Sequence, residues 1–184
     1  VATAARLCYS PRAAGEVWAD FSPEKQEEFL GKLTAYGHFS PFEHVSFTFA
    51  ISGVSRALSH QLVRHRIASY SQRSQRYINE SSFAVVVPPT VEADPAAREE
   101  FDEVIQQIQE GYRRLIALGI PKEDARYLLP NACQTQLIMS MNARSLLHFL
   151  ALRCCRRAQW EIRELAWKVR TEALKVAPLL FREA

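Results

Sequence analysis

Between His44 and Asn79 the chain carries no aspartate or glutamate. At the centre of that stretch, Arg64 to Arg76, stand four arginines and one histidine. Fixed positive charge without a neighbouring carboxylate restricts where the segment can sit, because a buried cation needs a partner. The partner has to come from elsewhere in the fold or from a ligand. Arginine suits phosphate, since its planar fork binds two oxygens at once and never deprotonates. Ser69, Ser71, Gln72, Ser74 and Gln75 add neutral donors and acceptors able to read a polar ring or a ribose. A charge run is ordinarily a solvated face, but such faces mix signs and this one does not. A second acid-free stretch, Ala125 to Trp160, carries Arg126, Arg144, Arg153, Arg156 and Arg157. Two such stretches suit one anionic ligand, and Arg64, Arg66 and Arg144 are expected to lack internal counter-charge.

A length of 184 residues favours one domain with a sizeable core. The net charge of +3 is too small for a protein built around bulk nucleic-acid binding. Cys8, Cys133, Cys154 and Cys155 show no zinc-ligand spacing, and free thiols in a reducing cytoplasm are the simplest account. No signal peptide or membrane-length apolar run is present, so a cytoplasmic protein without a membrane partner is expected. The chain opens on Val1 rather than Met, and a short native N-terminus is expected to precede it.

In order, Val1 to Tyr9 reads as one or two helical turns, and residues 10–21 as a loop. Ser22-Pro23 caps a helix through Phe29, Leu33 and Tyr36 that Gly37 closes. Val45 to Ile51 alternates as a half-buried strand, which Gly53 breaks. Ser55 to Val63 reads as a helix delivering the chain to Arg64. Arg64 and Arg66 would face different ways on a continuing helix, so the motif is expected to be a helix end and a loop. Phe83 to Val87 reads as a short strand stopped by Pro88-Pro89. Asp94-Pro95 opens a long helix with a core stripe of Phe101, Val104, Ile105, Ile108, Tyr112 and Leu115, ended by Gly119. Pro121 starts another, with Glu123 and Asp124 in its first turn. Cys133 to Met141 alternates as a strand. Asn142 caps a helix with Leu146, Leu147, Phe149 and Leu150 in the core, and Gln159 to Val176 is a final amphipathic helix around Trp160, Leu165 and Val169.

His38 and His44 flank a turn containing Glu43. Polar turn contacts or a ribose account for them better than a metal, and no metal is expected. Ser74 has no Gly-x-Ser-x-Gly elbow and only cationic neighbours, which argues against a hydrolase. No Walker A loop and no Gly-x-Gly-x-x-Gly appears, so a nucleotide cofactor would bind outside those folds. His148 admits two readings, a satisfied core histidine or a ligand contact beside Asn142 and Arg144.

Arg64-His65-Arg66, seven residues, then Ser74, resembles the signature of the flavin-dependent thymidylate synthases. Gly37-His38-Phe39-Ser40-Pro41-Phe42-Glu43-His44 is similar to that family's Gly-His-x-Ser/Thr-Pro-Phe-Glu-His turn. Ala125-Arg126 with Leu129-Pro130, Asn142-Ala143-Arg144-Ser145-Leu146, Leu152-Arg153 and Ala158-Gln159-Trp160-Glu161-Ile162 resemble further blocks, in family order. The resemblance implies a mixed α/β fold with a mostly antiparallel central sheet packed with long helices. It covers the chain as one domain, 1–184, the family's first strand lying before Val1. It further implies a homotetramer whose active sites lie where subunits meet.

The implied reaction is methylation of dUMP to dTMP, with methylene-tetrahydrofolate giving the carbon and FAD, reduced by NADPH, the hydride. By position, Gln61, Arg64, Gln72, Ser74, Gln75, Arg76, Arg126 and Arg153 are implied to hold dUMP. His38, Ser40, Arg64, His65, Arg66, Gln72, Asn142, Arg144 and His148 are implied to hold FAD. Arg153 matches the arginine that polarises the uracil ring, and Ser74 stands where the signature invites a nucleophile. The chain departs from many members in having Ser71-Gln72 for Asn-Glu, Gln75 for Gly, and His148 for Asn. The rival from another class is a non-enzymatic RNA-binding module using residues 64–77, with Tyr70 and Tyr77 exposed for base stacking. Colour separates the two, since a flavoprotein is yellow.

Overall fold

The computed structural model describes residues 1–19 and 22–182. Its helices are α1 (Ala2–Leu7), α2 (Ala14–Ala19), α3 (Pro23–Ala35), α4 (Arg56–Leu62), α5 (Pro89–Glu92), α6 (Pro95–Ala117), α7 (Lys122–Ala125), α8 (Ala143–Arg153), α9 (Trp160–Val176) and α10 (Pro178–Phe181). Its strands are β1 (Ser46–Ser55), β2 (Ser69–Gln72) and β3 (Gln134–Asn142), hydrogen-bonded in the order β1-β3-β2. Thr48 meets Ser140 and Arg56 meets Cys133, so β1 and β3 run antiparallel. The fold is mixed α/β, and α6 and α9, at 23 and 17 residues, are the long helices that the periodicity predicts.

The described residues form two compact units, Val1–Phe49 with His65–Ser69 and Ser140–Ala184, and Ala50–Arg64 with Tyr70–Met139. In the first, α8 packs on α9 and on the 3-10 turn Ser40–His44. Phe42, Leu146, Phe149, Leu150 and Ile162 are fully or almost fully buried there. Each such side chain contributes about 1.5–3 kcal/mol by leaving water. The start of α8 is fixed twice: Asn142 Oδ1 accepts from the Ser145 N–H at 2.8 Å, and the Ala143 N–H donates to Val45 O at 2.8 Å. Gly37 ends the α3 segment at φ +69, a left-handed conformation that glycine adopts without strain.

In the second unit α6 begins on Asp94, whose carboxylate accepts from the N–H groups of Ala96 and Ala97. It lays Ile105 against Phe83 and Cys133, with Phe101, Ile108, Val85 and Leu129 around them. Gln109 Nε2 donates to Phe83 O at 2.8 Å, and the buried Tyr112 hydroxyl accepts from the Glu80 N–H at 3.2 Å. Those two bonds fasten the segment after Arg76 to the long helix.

Several sequence expectations need correction. Residues 10–21 are not all loop, because α2 forms and buries Val17 completely; positions 20 and 21 lie outside the described residues. Gly53 does not break β1; the strand runs on to Ser55 with Gly53 at φ +72. Phe83–Val87 is not a strand. It makes one antiparallel bridge, Val85 to Cys133, before Pro88 and Pro89 remove the next N–H donors. The third strand is β2, inside the arginine-rich motif, where Arg73 N–H donates to Gln136 O at 2.9 Å. Val104 is 41% exposed and falls off the α6 core stripe, which Ile105 and Tyr112 anchor. His148 is exposed on α8, so the core-histidine reading fails.

Replacing Tyr112 by Phe removes the acceptor of the Glu80 N–H and keeps the ring. The expected loss is about 1–3 kcal/mol, read as a lower urea midpoint with the far-UV spectrum unchanged.

Candidate functional site

Helix α4 starts on Ser55, whose Oγ accepts from the Leu58 N–H at 2.9 Å, and ends at Leu62. Gln61 is half-buried in its last turn, and Arg64 follows exposed. Four residues of β2 then set the direction of the motif. Strand side chains alternate between faces, and Tyr70 and Gln72 take the inner one. The Tyr70 hydroxyl donates to Leu62 O at 2.9 Å, and burial pushes its pKa up to about 12. Gln72 Nε2 donates to the buried Thr135 Oγ1 at 3.1 Å. Ser71 and Arg73 take the outer face.

That outer face opens into a cavity of about 620 Å³, lined among others by Ser52, Ser71, Arg73, Ser74, Tyr77 and Gln136. Ser74 Oγ accepts the Arg76 N–H at 3.2 Å, which leaves its own proton available to a ligand. No histidine or carboxylate bonds Ser74 among the described residues. Gln75 Nε2 lies 3.5 Å from Cys133 Sγ, and burial, then the Glu80 charge, push that thiol up to about 11.

Three arginines of the acid-free stretches find counter-ions from outside them. Arg73 pairs with Glu80 at 3.5 Å, and burial raises the Glu80 pKa while Arg73 and Arg56 oppose the rise. Arg76 Nε meets Glu123 Oε2 at 2.6 Å, and Arg126 Nε donates to the Glu123 carbonyl at 3.0 Å, so one residue gathers both arginines. Arg144 meets Glu43 at 2.5 Å, which corrects the expectation that it lacks counter-charge. Arg76–Glu123 and Arg144–Glu43 are about half exposed on both sides. Exposed pairs are worth only about 0–1 kcal/mol, little enough for a phosphate to displace the carboxylate. Arg64 and Arg66 are exposed and make no ion pair among the described residues.

In the first unit the two stretches meet at His65 and Arg153. Arg153 Nε donates to His65 Nε2 at 2.9 Å. The imidazole stands edge-on to Phe149, with ring centroids 5.0 Å apart. Burial, then Arg153 and His148, hold the His65 pKa below its ordinary value. Asn142, Arg144 and His148 line up along α8 from its cap, while exposed His38 and Ser40 lie at the 3-10 turn that packs on it.

The candidate residues therefore sort by unit. Gln61, Arg64, Gln72, Ser74, Gln75, Arg76 and Arg126 belong to the second; His38, Ser40, His65, Arg66, Asn142, Arg144, His148 and Arg153 belong to the first. The sequence reading missed Thr135, Glu123 and Glu43 as partners. Thr135 carried a signal in its place on the buried phase of β3, and Glu123 in lying three residues before Arg126 on a helical stretch. Among the described residues no cluster of three or more His, Cys, Asp or Glu side chains has metal-holding geometry, and no helix is long and apolar enough to cross a membrane.

A mixed α/β fold whose second unit lines a cavity with Ser71, Arg73, Ser74 and Gln136, and whose first unit bonds Arg153 to His65, defines an enzyme whose polar chemistry rests on fixed guanidinium charge. The model of a family described as "Thymidylate synthase complementing protein" matches residues 1–179. The flavin-dependent thymidylate synthase of Geobacter sulfurreducens is 51% identical over 186 residues, covering 100% of this chain and 80% of the relative. That of Clostridium tetani is 50% identical over 198 residues, covering 99% and 80%, and that of Pyrococcus furiosus 44% identical over 178 residues, covering 94% and 72%. The chain belongs to the flavin-dependent thymidylate synthase family.

The thiols titrate differently. The Arg157 N–H, then its side chain, lower the Cys155 pKa, whereas burial raises those of Cys154 and Cys133. Since the thiolate is the reactive form, iodoacetamide near neutral pH is expected to alkylate Cys155 first and to leave Cys133 unmodified in native protein. Peptide mass mapping over a time course checks the order.

Proposed function

We propose that this chain methylates dUMP to dTMP, taking the carbon from methylene-tetrahydrofolate and hydride from FAD reduced by NADPH. The supporting observation is the placement of the signature. Arg64 and Arg66 stand without carboxylate partners among the described residues, and Ser74 lines a cavity with a hydroxyl proton to offer. The named relatives supply the flavin and the thymidylate product as precedents.

The donor set of the first unit fits a dinucleotide. Among the described residues Arg66 meets no carboxylate, and the one ion pair of Arg144 is exposed. Asn142 Oδ1 is used by its helix, which leaves the amide NH₂ to donate outward. His38, Ser40, His65 and His148 would complete that set, and the family resemblance adds Arg64 and Gln72 to the flavin ligands. Bound flavin would supply the hydride that completes the methyl group.

For dUMP, Arg76 would exchange the Glu123 carboxylate for the phosphate and Arg126, held at the Glu123 carbonyl, would add its terminal NH₂ groups, while Gln61, Arg64, Gln72 and Gln75 hold the sugar and base. Among the described residues no general base bonds Ser74, and an unactivated hydroxyl is a poor nucleophile near neutral pH. Its role is an orienting hydrogen bond. Arg153 would stabilise the negative charge that builds on the N3–O4 edge of uracil as its reacting carbon becomes electron-rich. The whole chain would act as one catalytic domain of a cytoplasmic homotetramer with shared active sites. Ile138, 44% exposed beside the cavity, supplies apolar surface for such a contact.

Purified protein is expected to be yellow and to show a perturbed flavin spectrum on adding dUMP; protein that takes up no flavin would overturn the proposal. Arg153→Ala should keep the flavin and lose about 10²–10³-fold in dTMP formation, as when a charge-stabilising donor is removed. Arg153→Lys should recover little, because a point charge does not reproduce the fork. Ser74→Ala should weaken dUMP binding and slow turnover without abolishing it, measured by titration and single-turnover assay.

A further inference from the structure

We infer that His65 is a positioning residue that selects which edge of Arg153 meets the substrate. The inference rests on the proposed role of Arg153 and adds to it a residue that acts through that arginine.

A guanidinium offers two bidentate faces, one made by Nε and a terminal nitrogen, the other by the two terminal nitrogens. In this structure Nε is already spent, donating to His65 Nε2 at 2.9 Å. The side-on face is therefore closed, and the end-on pair of NH₂ groups is left for a ligand with two adjacent acceptors. The imidazole is itself held: its ring stands edge-on to Phe149, which is fully buried in the α8–α9 core. Arg153 is the last residue of α8, so its backbone and the aromatic floor of its partner belong to one helix. No carboxylate pairs with Arg153 among the described residues, so the fork is not drawn elsewhere.

Because guanidinium is always a donor, His65 Nε2 has to be the acceptor, and a neutral imidazole accepting there carries its proton on Nδ1. A second proton would put N–H against N–H between two cations and break the bond. The charges of Arg153 and His148 act on His65 from α8 and disfavour its imidazolium, and Arg64 and Arg66 adjoin it in the chain. Burial and those two α8 groups hold the His65 pKa below 6.5, so the bond is intact at neutral pH and is lost as pH falls below that range. The same sign applies to stability. The unfolded chain binds the proton first, so falling pH through this window also disfavours the native state.

The test uses flavin-loaded full-length enzyme and three variants. His65→Phe keeps a ring on Phe149 and removes the acceptor; His65→Gln restores an acceptor that does not titrate in this range; His65→Ala removes both. Misaiming of Arg153 should lower kcat in His65→Phe on the order of 10²-fold, with KM for dUMP changed far less. His65→Gln should recover a substantial part of that loss, and its kcat profile should lack the acidic limb expected of wild type as His65 takes up its second proton. Independently of turnover, ¹⁵N-histidine spectra of the wild type should show His65 protonated on Nδ1. Near-wild-type kcat in His65→Phe, or a His65 protonated on Nε2, overturns the inference. Loss of flavin in every variant, including His65→Gln, overturns it in favour of a purely cofactor-binding histidine. Failure of Arg153→Ala to reduce dTMP formation would instead overturn the proposed role of Arg153, whatever the His65 spectra show.

Discussion

Guanidinium charge cannot be switched off, and the structure depends on where each such charge is satisfied. Arg73, Arg76 and Arg144 borrow carboxylates from Glu80, Glu123 and Glu43, all outside the two acid-free stretches. Arg153 is satisfied differently, against a neutral imidazole. An imidazole satisfies the Nε donor without cancelling the positive charge, so Arg153 keeps its full electrostatic reach. A carboxylate in that place would hold the fork as firmly but neutralise the field on which a charge-stabilising role relies.

Glu123 shows the complementary arrangement. It gathers Arg76 through its side chain and Arg126 through its carbonyl. Two cations are thus held at one place without a ligand, and the pair that holds Arg76 is exposed enough to be exchanged. Arg126 is gripped at the backbone, so it keeps its position when the carboxylate leaves.

Much of this was legible in the sequence. The caps on Asn142, Asp94 and Ser22, the alternation of β1 and β3 and the periodicity of α6 and α9 all reappear, because each is fixed by local chemistry. The motif blocks led to the family, as the match over residues 1–179 shows. What escaped was set by pairing at a distance. Ser69–Gln72 has weak strand propensity and became β2 because β3 offers it a partner, whereas apolar Phe83–Val87 became a single bridge. The counter-ions were invisible for a related reason, since Glu123 lies 47 positions from Arg76 and Glu43 lies 101 from Arg144. His148 sat on an apolar helix in sequence and faces outward in the fold, because α8 buries only the side bearing Leu146, Phe149 and Leu150.

The short strand β2 gives the spacing between Arg66 and Ser74 a meaning beyond length. Four of the seven intervening residues are pleated, with Tyr70 and Gln72 turned inward and Ser71 turned out. The interval is therefore a phase as well as a distance. Inserting or deleting one residue there would move the chain by only about 3.3 Å, yet it would exchange the two faces. Tyr70 and Gln72 would turn to solvent, and serines would meet Leu62 and Thr135. A change of two residues would restore the faces and shift only the register. Within that interval the identities at positions 71 and 72 are freer to change than the number of residues, because parity, unlike side-chain chemistry, has no conservative substitution.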